Sequence, residues 1–335
     1  MAGLRLTVAV EKLEFAAPFR ITGFVFEHQD AVVVTLDDGV HRGRGEASGV
    51  FYLDDPVDRM AVDIEARRNV IERGIDRAGV QGLFPPGGAR NALDCALWEL
   101  EARRAGKPVW ALARVPRPKP LVTTFTLGAE PPEVMAAGAR RYADARALKV
   151  KLTGEFELDS SRVAAVRAAR PDVWIGVDAN QGYALEALPR LIRMLREAGV
   201  ELIEQPVARG QEAGLEEIDS PIPIAADESA LSLRDVPGLV GRFDVVNIKL
   251  DKCGGLTEAL AMAQEARRLG LKLMVGNMMG TSLAMAPAFV LGQLCDVVDL
   301  DGPTFLKHDR APGVRYSDGR IWCDEAVWGG PERTA

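Results

Sequence analysis

Histidine is nearly missing from this chain. Only His28, His41 and His308 occur in 335 residues, and none closes an apolar run of the kind that ends at the mouth of a barrel. Zinc sites of the histidine type and Ser-His-Asp triads are therefore poorly supplied. Acid–base work near neutral pH would fall to lysines and carboxylates. Cysteine is sparse as well: Cys95, Cys253, Cys295 and Cys323 lie far apart and show no paired metal spacing. Reduced thiols in a cytoplasmic protein are the expected state. No apolar run reaches the ~18 residues of a membrane span, and the opening MAGLRLTVAVEKLEF places Arg5 inside its apolar stretch, unlike a secretory leader. Positive charge is not in excess either. Lysine and arginine number 41 against 48 acidic residues, a net charge of −7, which argues against nucleic acid or an anionic membrane as a partner. Phosphate loops are also wanting. GRGEAS at 43–48 lacks the third glycine of a dinucleotide fingerprint, and GNMMGTS at 276–282 has no Walker lysine.

What is present is a repeat of short apolar runs, each ending in a charged residue and followed by a helix-like stretch. The charged ends are Lys149 and Lys151, Asp178, Glu204, Asp227, Lys249, and the pair Asp299 and Asp301. From Lys151 the steps to Asp178, Glu204, Asp227 and Lys249 are 27, 26, 23 and 22 residues. A (β/α)8 barrel uses roughly 30 residues per unit and carries its catalytic groups at the C-terminal ends of the strands. Eight strands are expected at 121–127, 147–152, 173–178, 201–205, 222–227, 244–250, 271–276 and 296–301, with helices between them. Ahead of these, residues 3–15 alternate as a half-buried strand does and 31–36 form a second strand before the hairpin signal Asp38-Gly39. Helical stretches are expected at about 56–79 and 88–105, the latter stopping at Gly106. The first section thus reads as α+β, and RVPRPKP at 114–120 as a linker. We divide the chain into a capping domain over 1–115, completed by about 311–335, and a barrel over 116–310.

Asp178, Glu204 and Asp227 close three consecutive strands and offer only carboxylate oxygens. Such a set suits a hard divalent ion, above all Mg²⁺ with its preference for oxygen in octahedral array. Three separate salt bridges or helix caps would use the same residues, but three in successive units favour a metal. Lys151 and Lys249 fall on the second and sixth strands, on opposite sides of the barrel. Burial and neighbouring cations can make a lysine a usable base, and Lys149, two residues from Lys151 and on the same strand face, is expected to depress the pKa of Lys151. Lys249 could instead be a structural partner of Asp251. Two bases facing one carbon beside a metal suit a 1,1-proton transfer. One lysine would remove a proton α to a carboxylate, the metal would stabilise the enediolate, and the other lysine would return a proton to the opposite face.

The ordered set Lys-Val-Lys (149–151), VDAN (177–180), IEQP (203–206), AADES (225–229) and NIKLDKCGG (247–255) resembles the enolase superfamily, and within it the muconate-lactonizing-enzyme subgroup. GRGEA (43–47) and ALDCALWELEARRAGKPVW (92–110) match the same family, so the resemblance spans nearly the whole chain. It implies a modified (β/α)7β TIM barrel under an N-terminal α+β cap, one Mg²⁺ held by Asp178, Glu204 and Asp227, and Lys151 and Lys249 as acid–base pair. Asp299-Leu300-Asp301 followed by Gly302-Pro303 resembles the Asp-x-Asp motif of dipeptide epimerases, whose two carboxylates would hold a substrate α-ammonium. Capping of the following turn is the alternative use of that pair. The resemblance also marks Thr126 and Lys149 as substrate-contacting.

Two departures stand out. Gly280 replaces a glutamate common in relatives, which would bring Asn277 and Met279 near the substrate. The cap loop PFRITGFVFEH has Phe24 and Phe26 where an arginine would receive an acidic side chain, with Arg20 earlier in the loop. Phe51 and Tyr52 add aromatic surface. These features imply an isomerase that epimerises the C-terminal residue of an L,L-dipeptide, with a preference for apolar side chains. N-succinylamino acid racemisation or o-succinylbenzoate synthesis is the nearer alternative, and a Schiff-base aldolase the remoter one. The expected partner is a small molecule, with self-association into a homo-oligomer left open.

Overall fold

The computed structural model describes residues 3–21 and 24–331; positions 1–2, 22–23 and 332–335 of the expected capping domain lie outside the described residues. The chain opens with an antiparallel sheet of Arg5–Ile21, Phe24–Asp37 and Arg42–Ser48 in sequential order. Its first two strands run much further than their alternation predicted, because the pairing slips between Glu14 and Phe19 and resumes beyond the slip. That extension carries the hairpin clear of the sheet's own core. One sheet face, with Leu6, Val32, Val34 and Leu36, packs on the helix Gly88–Ala105. The contact is unusually close. A Cβ on Gly43 or Gly45 would lie 2.0 Å from the carbonyl oxygen of Ala96 or Ala92, which explains the two glycines of GRGEA without any ligand.

The Gly88–Ala105 helix has the expected bounds and ends with Gly106 at φ +60. The helix expected at 56–79 does not form as one piece. It divides into Val57–Ala66, Arg68–Glu72 and Arg77–Leu83. Arg67 leaves helical geometry, Gly74 turns at φ +103, and Asp76 caps a new start by accepting from the Gly79 amide at 2.7 Å.

Eight parallel strands then follow in sequence order: Thr124–Leu127, Ala147–Lys151, Trp174–Asp178, Leu202–Glu204, Ile224–Ala226, Val245–Ile248, Lys272–Val275 and Val297–Val298. Side chains tie the last strand to the first. Thr124 Oγ1 donates to Asp299 at 2.5 Å, the Thr126 amide to Asp301 at 2.6 Å, and the Leu300 amide to Thr123 Oγ1 at 2.9 Å. A helix was expected in every connection, but after the fourth and fifth strands the chain crosses on 3₁₀ turns, Glu212–Glu217 and Val236–Leu239. Those crossings account for the shorter steps of 23 and 22 residues.

Strand parity sorts the residues. Leu148, Val150, Ile175, Val177, Ile203, Val246 and Ile248 turn outward into the main core with the helices. Trp174, Leu202, Ala225, Val245, Met274 and Val297 form a separate apolar cluster that plugs the barrel floor. One or two inward positions further along the same rows stand Asp178, Glu204, Asp227, Lys249 and Asp299. An apolar floor beneath a polar layer is thus written into alternate positions of each strand. A hairpin of Arg315–Ser317 and Arg320–Trp322 adds Leu121–Val122 as a third strand, and Val327, Trp328 and Gly329 then bond to Arg44, Glu99 and Val109.

Candidate active site

Asp178 and Glu204 are direct neighbours in the strand register, and so are Lys151 and Asp178. Among the described residues, Asp178, Glu204 and Asp227 each offer one oxygen, all within 4.8 Å of one another, and all three residues are buried. Uncompensated carboxylates this close would repel strongly in a low-dielectric interior. Amines gather to meet them. Lys149 Nζ lies 3.0 Å from Asp178, 2.7 Å from Glu204 and 2.9 Å from Asp299. Lys151 Nζ is 2.6 Å from Asp178 and 3.0 Å from Asn180 Oδ1, and Lys249 Nζ is 2.7 Å from Asp227. The partner of Lys249 is therefore Asp227; Asp251 instead accepts from the Ser48 amide and Asn91.

The charges divide the carboxylates. Burial opposes ionisation of Asp178 and Asp227, yet the ammoniums of Lys149 and Lys151 hold Asp178 low and those of Lys249 and Lys252 hold Asp227 lower still. Glu204 goes the other way: burial and the charge of Asp178 raise it. Lys149 sits among so many carboxylates that its own pKa is driven up despite burial. Its expected role as a cation acting on Lys151 gives way to that of a counter-charge spanning three carboxylates. Three oxygen donors in one buried cluster match the needs of Mg²⁺, so the residues present fit such an ion.

Lys252 was not singled out by the sequence. It is wholly buried, and its ammonium donates to Asp227 Oδ1 at 2.5 Å, to the Asp227 carbonyl at 2.6 Å and to the Asn247 carbonyl at 3.1 Å. Asn247 in turn donates to Glu204 at 2.8 Å. Asp227 and Glu204 are thereby each fixed by a further residue. Lys249 reaches the centre only because Gly276 yields space; a Cβ there would come within 2.9 Å of its Cε and 2.6 Å of Asn247.

A cavity opens above this layer, and its walls include Thr126, Lys149, Lys151, Asn180, Asp227, Lys249, Asn277, Met278, Met279, Asp299 and Asp301 from the barrel. Its roof comes from the first section, through Phe19, Phe26, Gln29, Phe51 and Tyr52. Asp299 and Asp301 both reach the cavity while closing the barrel seam. Lys149 holds Asp299 low against burial, whereas burial and the neighbouring Asp299 charge raise Asp301. Asn277 braces this end by donating to the Asp299 carbonyl at 2.7 Å and accepting from the Gly302 amide at 3.0 Å. Phe26 faces the cavity; Phe24 does not. Phe24 is 49% exposed and leans on Phe26 and Phe51 from outside, with ring centroids 6.0 and 4.7 Å away. Arg20 turns away to pair with Glu130 at 3.0 Å. At Gly280 a Cβ would stand 3.2 Å from Glu46 Oε1, so a cap carboxylate already fills the ground beside this turn.

Comparison with known proteins gives the same pattern a lineage. Residues 4–113 match the model of the mandelate racemase/muconate lactonizing enzyme N-terminal domain, and residues 134–326 match the enolase C-terminal domain-like model. An L-Ala-D/L-Glu epimerase of Escherichia coli is 39% identical over 91% of this chain and 95% of its own. A hydrophobic dipeptide epimerase of Roseobacter litoralis is 35% identical over 90% of this chain and 91% of its own. Among solved structures, an enolase family member from Agrobacterium tumefaciens with homology to dipeptide epimerases, holding sodium and L-Ala-L-Glu, superposes with a TM-score of 0.93. It is 39% identical over 97% of this chain and 100% of its own. A dipeptide epimerase from Methylococcus capsulatus, complexed with Mg and L-Arg-D-Lys, gives a TM-score of 0.90 at 31% identity over 96% and 97%. With both family models matched along most of its length, the chain belongs to the mandelate racemase/muconate lactonizing enzyme family of enolase-like proteins.

Proposed function

We propose that the protein is an Mg²⁺-dependent dipeptide epimerase that inverts the α-carbon of the C-terminal residue by 1,1-proton transfer. One observation carries this reading. The second and sixth strands aim Lys151 and Lys249 at one cavity from opposite sides, and the buried carboxylates Asp178, Glu204 and Asp227 stand between them. Those three carboxylates are assigned to the metal, and when bound the ion supplies positive charge where the substrate's carboxylate gathers negative charge. Lys151 and Lys249 take a proton from one face of the α-carbon and return one to the other, and Lys149 balances the carboxylates around them. Asp299 and Asp301 receive the α-ammonium at the far end, supported by Thr126 and Asn277. An anionic N-succinyl group meets like charge there, which disfavours the N-succinylamino acid racemase and o-succinylbenzoate synthase alternatives.

The roof favours an apolar side chain on the residue being inverted, since Phe19, Phe26, Phe51, Met278 and Met279 line that side and Arg20 is engaged elsewhere. One relative supports this preference, the Roseobacter litoralis protein named a hydrophobic dipeptide epimerase, while the Escherichia coli relative is named an L-Ala-D/L-Glu epimerase. We assign residues 1–115 with 311–335 to the cap and 116–310 to the barrel. Free cysteines and net negative charge are in keeping with a cytoplasmic enzyme that binds neither nucleic acid nor membrane. No helix among the described residues is long and apolar enough to cross a bilayer. A dipeptide library incubated in D₂O and read by mass spectrometry tests the proposal. Deuterium should enter the C-terminal α-position of apolar L,L-dipeptides and cease with EDTA; exchange that persists without metal would refute it.

A further inference from the structure

The 3₁₀ turn Phe51–Leu53 carries a phenol into the cavity. Tyr52 shares the cavity wall with Lys149, Lys151, Asn180, Asp227 and Lys249, and its ring is held edge-on by Phe51 at a centroid distance of 5.2 Å and an interplanar angle of 90°. Its hydroxyl oxygen is enclosed and meets no hydrogen-bond partner within the protein. That is a rare condition, because buried phenols ordinarily find a partner and an unmet one is destabilising. The surroundings set which way the hydroxyl works. Burial and the charges of Asp227, Glu228, Glu204 and Asp178 all raise its pKa, so it stays a neutral donor. The neighbouring amines are themselves donors occupied by carboxylates and offer it nothing to donate to.

A donor kept without an acceptor, on a residue that borders the same cavity as two opposed lysines, matches an acceptor that arrives from solution. We propose that Tyr52 donates its hydroxyl to the carboxylate of the dipeptide's C-terminal residue, and that this bond strengthens as proton removal from the α-carbon places negative charge on that carboxylate. The inference rests on the epimerase reading and adds a cap residue to the machinery of the barrel. Ring packing against Phe51 positions the phenol; the oxygen does the chemical part.

Tyr52→Phe tests this, because it deletes only the oxygen and keeps the ring contact. kcat/KM for the best dipeptide should fall at least tenfold, with most of the loss in kcat. The affinity for Mg²⁺ alone, measured by calorimetry, should stay within twofold. Tyr52→Leu, which also removes the ring, should lose no more than a few-fold further. Activity of Tyr52→Phe within twofold of the parent would overturn the inference, and so would a tenfold loss of Mg²⁺ affinity, which would place the hydroxyl's partner in the metal's surroundings. Absence of α-deuterium exchange in the unaltered protein with every dipeptide overturns the functional reading itself. An active parent with an undiminished Tyr52→Phe variant overturns only the role of the hydroxyl.

Discussion

Glu46→Gln should loosen the join between cap and barrel, and the structure sets how much. Glu46 is 1% exposed and accepts four hydrogen bonds on two oxygens. Two come from Thr281, from its amide at 2.7 Å and its hydroxyl at 2.5 Å; two come from Arg310, Nε at 3.0 Å and Nη2 at 2.8 Å. Glutamine has the same shape but would turn an amide donor toward donors and leave the Arg310 guanidinium with Glu11 as its remaining carboxylate partner. Breaking one side of a fully buried ion pair costs about 3–5 kcal/mol; with Arg310 28% exposed and still paired with Glu11, about 4 kcal/mol is an upper value here. At about 2.1 cal/mol/K of unfolding entropy per residue, a loss of 4 kcal/mol over 335 residues lowers the melting temperature by about 6 °C. Urea unfolding followed by tryptophan fluorescence suits the measurement, since Trp98 and Trp328 are buried. A double-mutant cycle with Arg310→Met should return a coupling of at least 1 kcal/mol. A single-variant loss below about 1 kcal/mol, or a cycle that closes with no coupling, would refute the reasoning.

Lys151→Ala and Lys249→Ala should each abolish epimerisation by about a thousandfold or more. Each should still exchange the α-proton of one enantiomer in D₂O, a different one for each variant; loss of both exchanges in either variant would contradict opposed bases. Asp299→Asn should raise KM for dipeptides about tenfold or more while narrowing the gap to N-succinyl substrates, read by parallel kinetics on both. Asp94→Asn should become relatively more stable as pH rises. Burial raises the Asp94 carboxyl to about 6, so the folded protein binds the extra proton and loses stability from about pH 4 through pH 6. The asparagine variant escapes about 3 kcal/mol of that loss; a stability difference constant with pH, from urea titrations at pH 4.5 and 7, would contradict the shift.

The barrel was legible because six of the eight expected strands end their apolar runs on residues that only a polar mouth accommodates, and because strand parity fixes which neighbours point inward. Lys151, Asp227 and Lys249 reach one cavity for that reason, and Asp178 and Glu204 cluster with Asp227 beneath it. The Gly88–Ala105 helix was legible from its spacing and its terminal glycine. Other features depend on contacts distant in sequence, which periodicity does not carry. The 56–79 stretch has helical composition throughout, and only Arg67, Gly74 and Asp76 divide it. Lys252 was not singled out beside Lys249, since its acceptors, two on Asp227 and one on Asn247, are brought together only by the pairing of two strands. Lys149 was read against Lys151, whereas its ammonium pairs with Asp178, Glu204 and Asp299 together, which come from three other strands. Phe24 was grouped with Phe26 because the two share a strand face, but Phe24 stands at the outer end of its strand, beyond the cavity that Phe26 lines.

The slip in pairing between Glu14 and Phe19 lets one hairpin belong to two places, rooted in the cap's sheet and ending over the barrel. Its rooted half is under packing constraint from the Gly88–Ala105 helix, while its far half rests on the barrel through Phe19 against Phe305 and Arg20 against Glu130 and turns Phe26 to the cavity. Substitutions at Phe19 or Phe26 can therefore redraw the menu of acceptable side chains without disturbing a single proton-transfer group. A lineage built this way can change diet by rewriting a few positions of a loop, leaving its chemistry inherited whole.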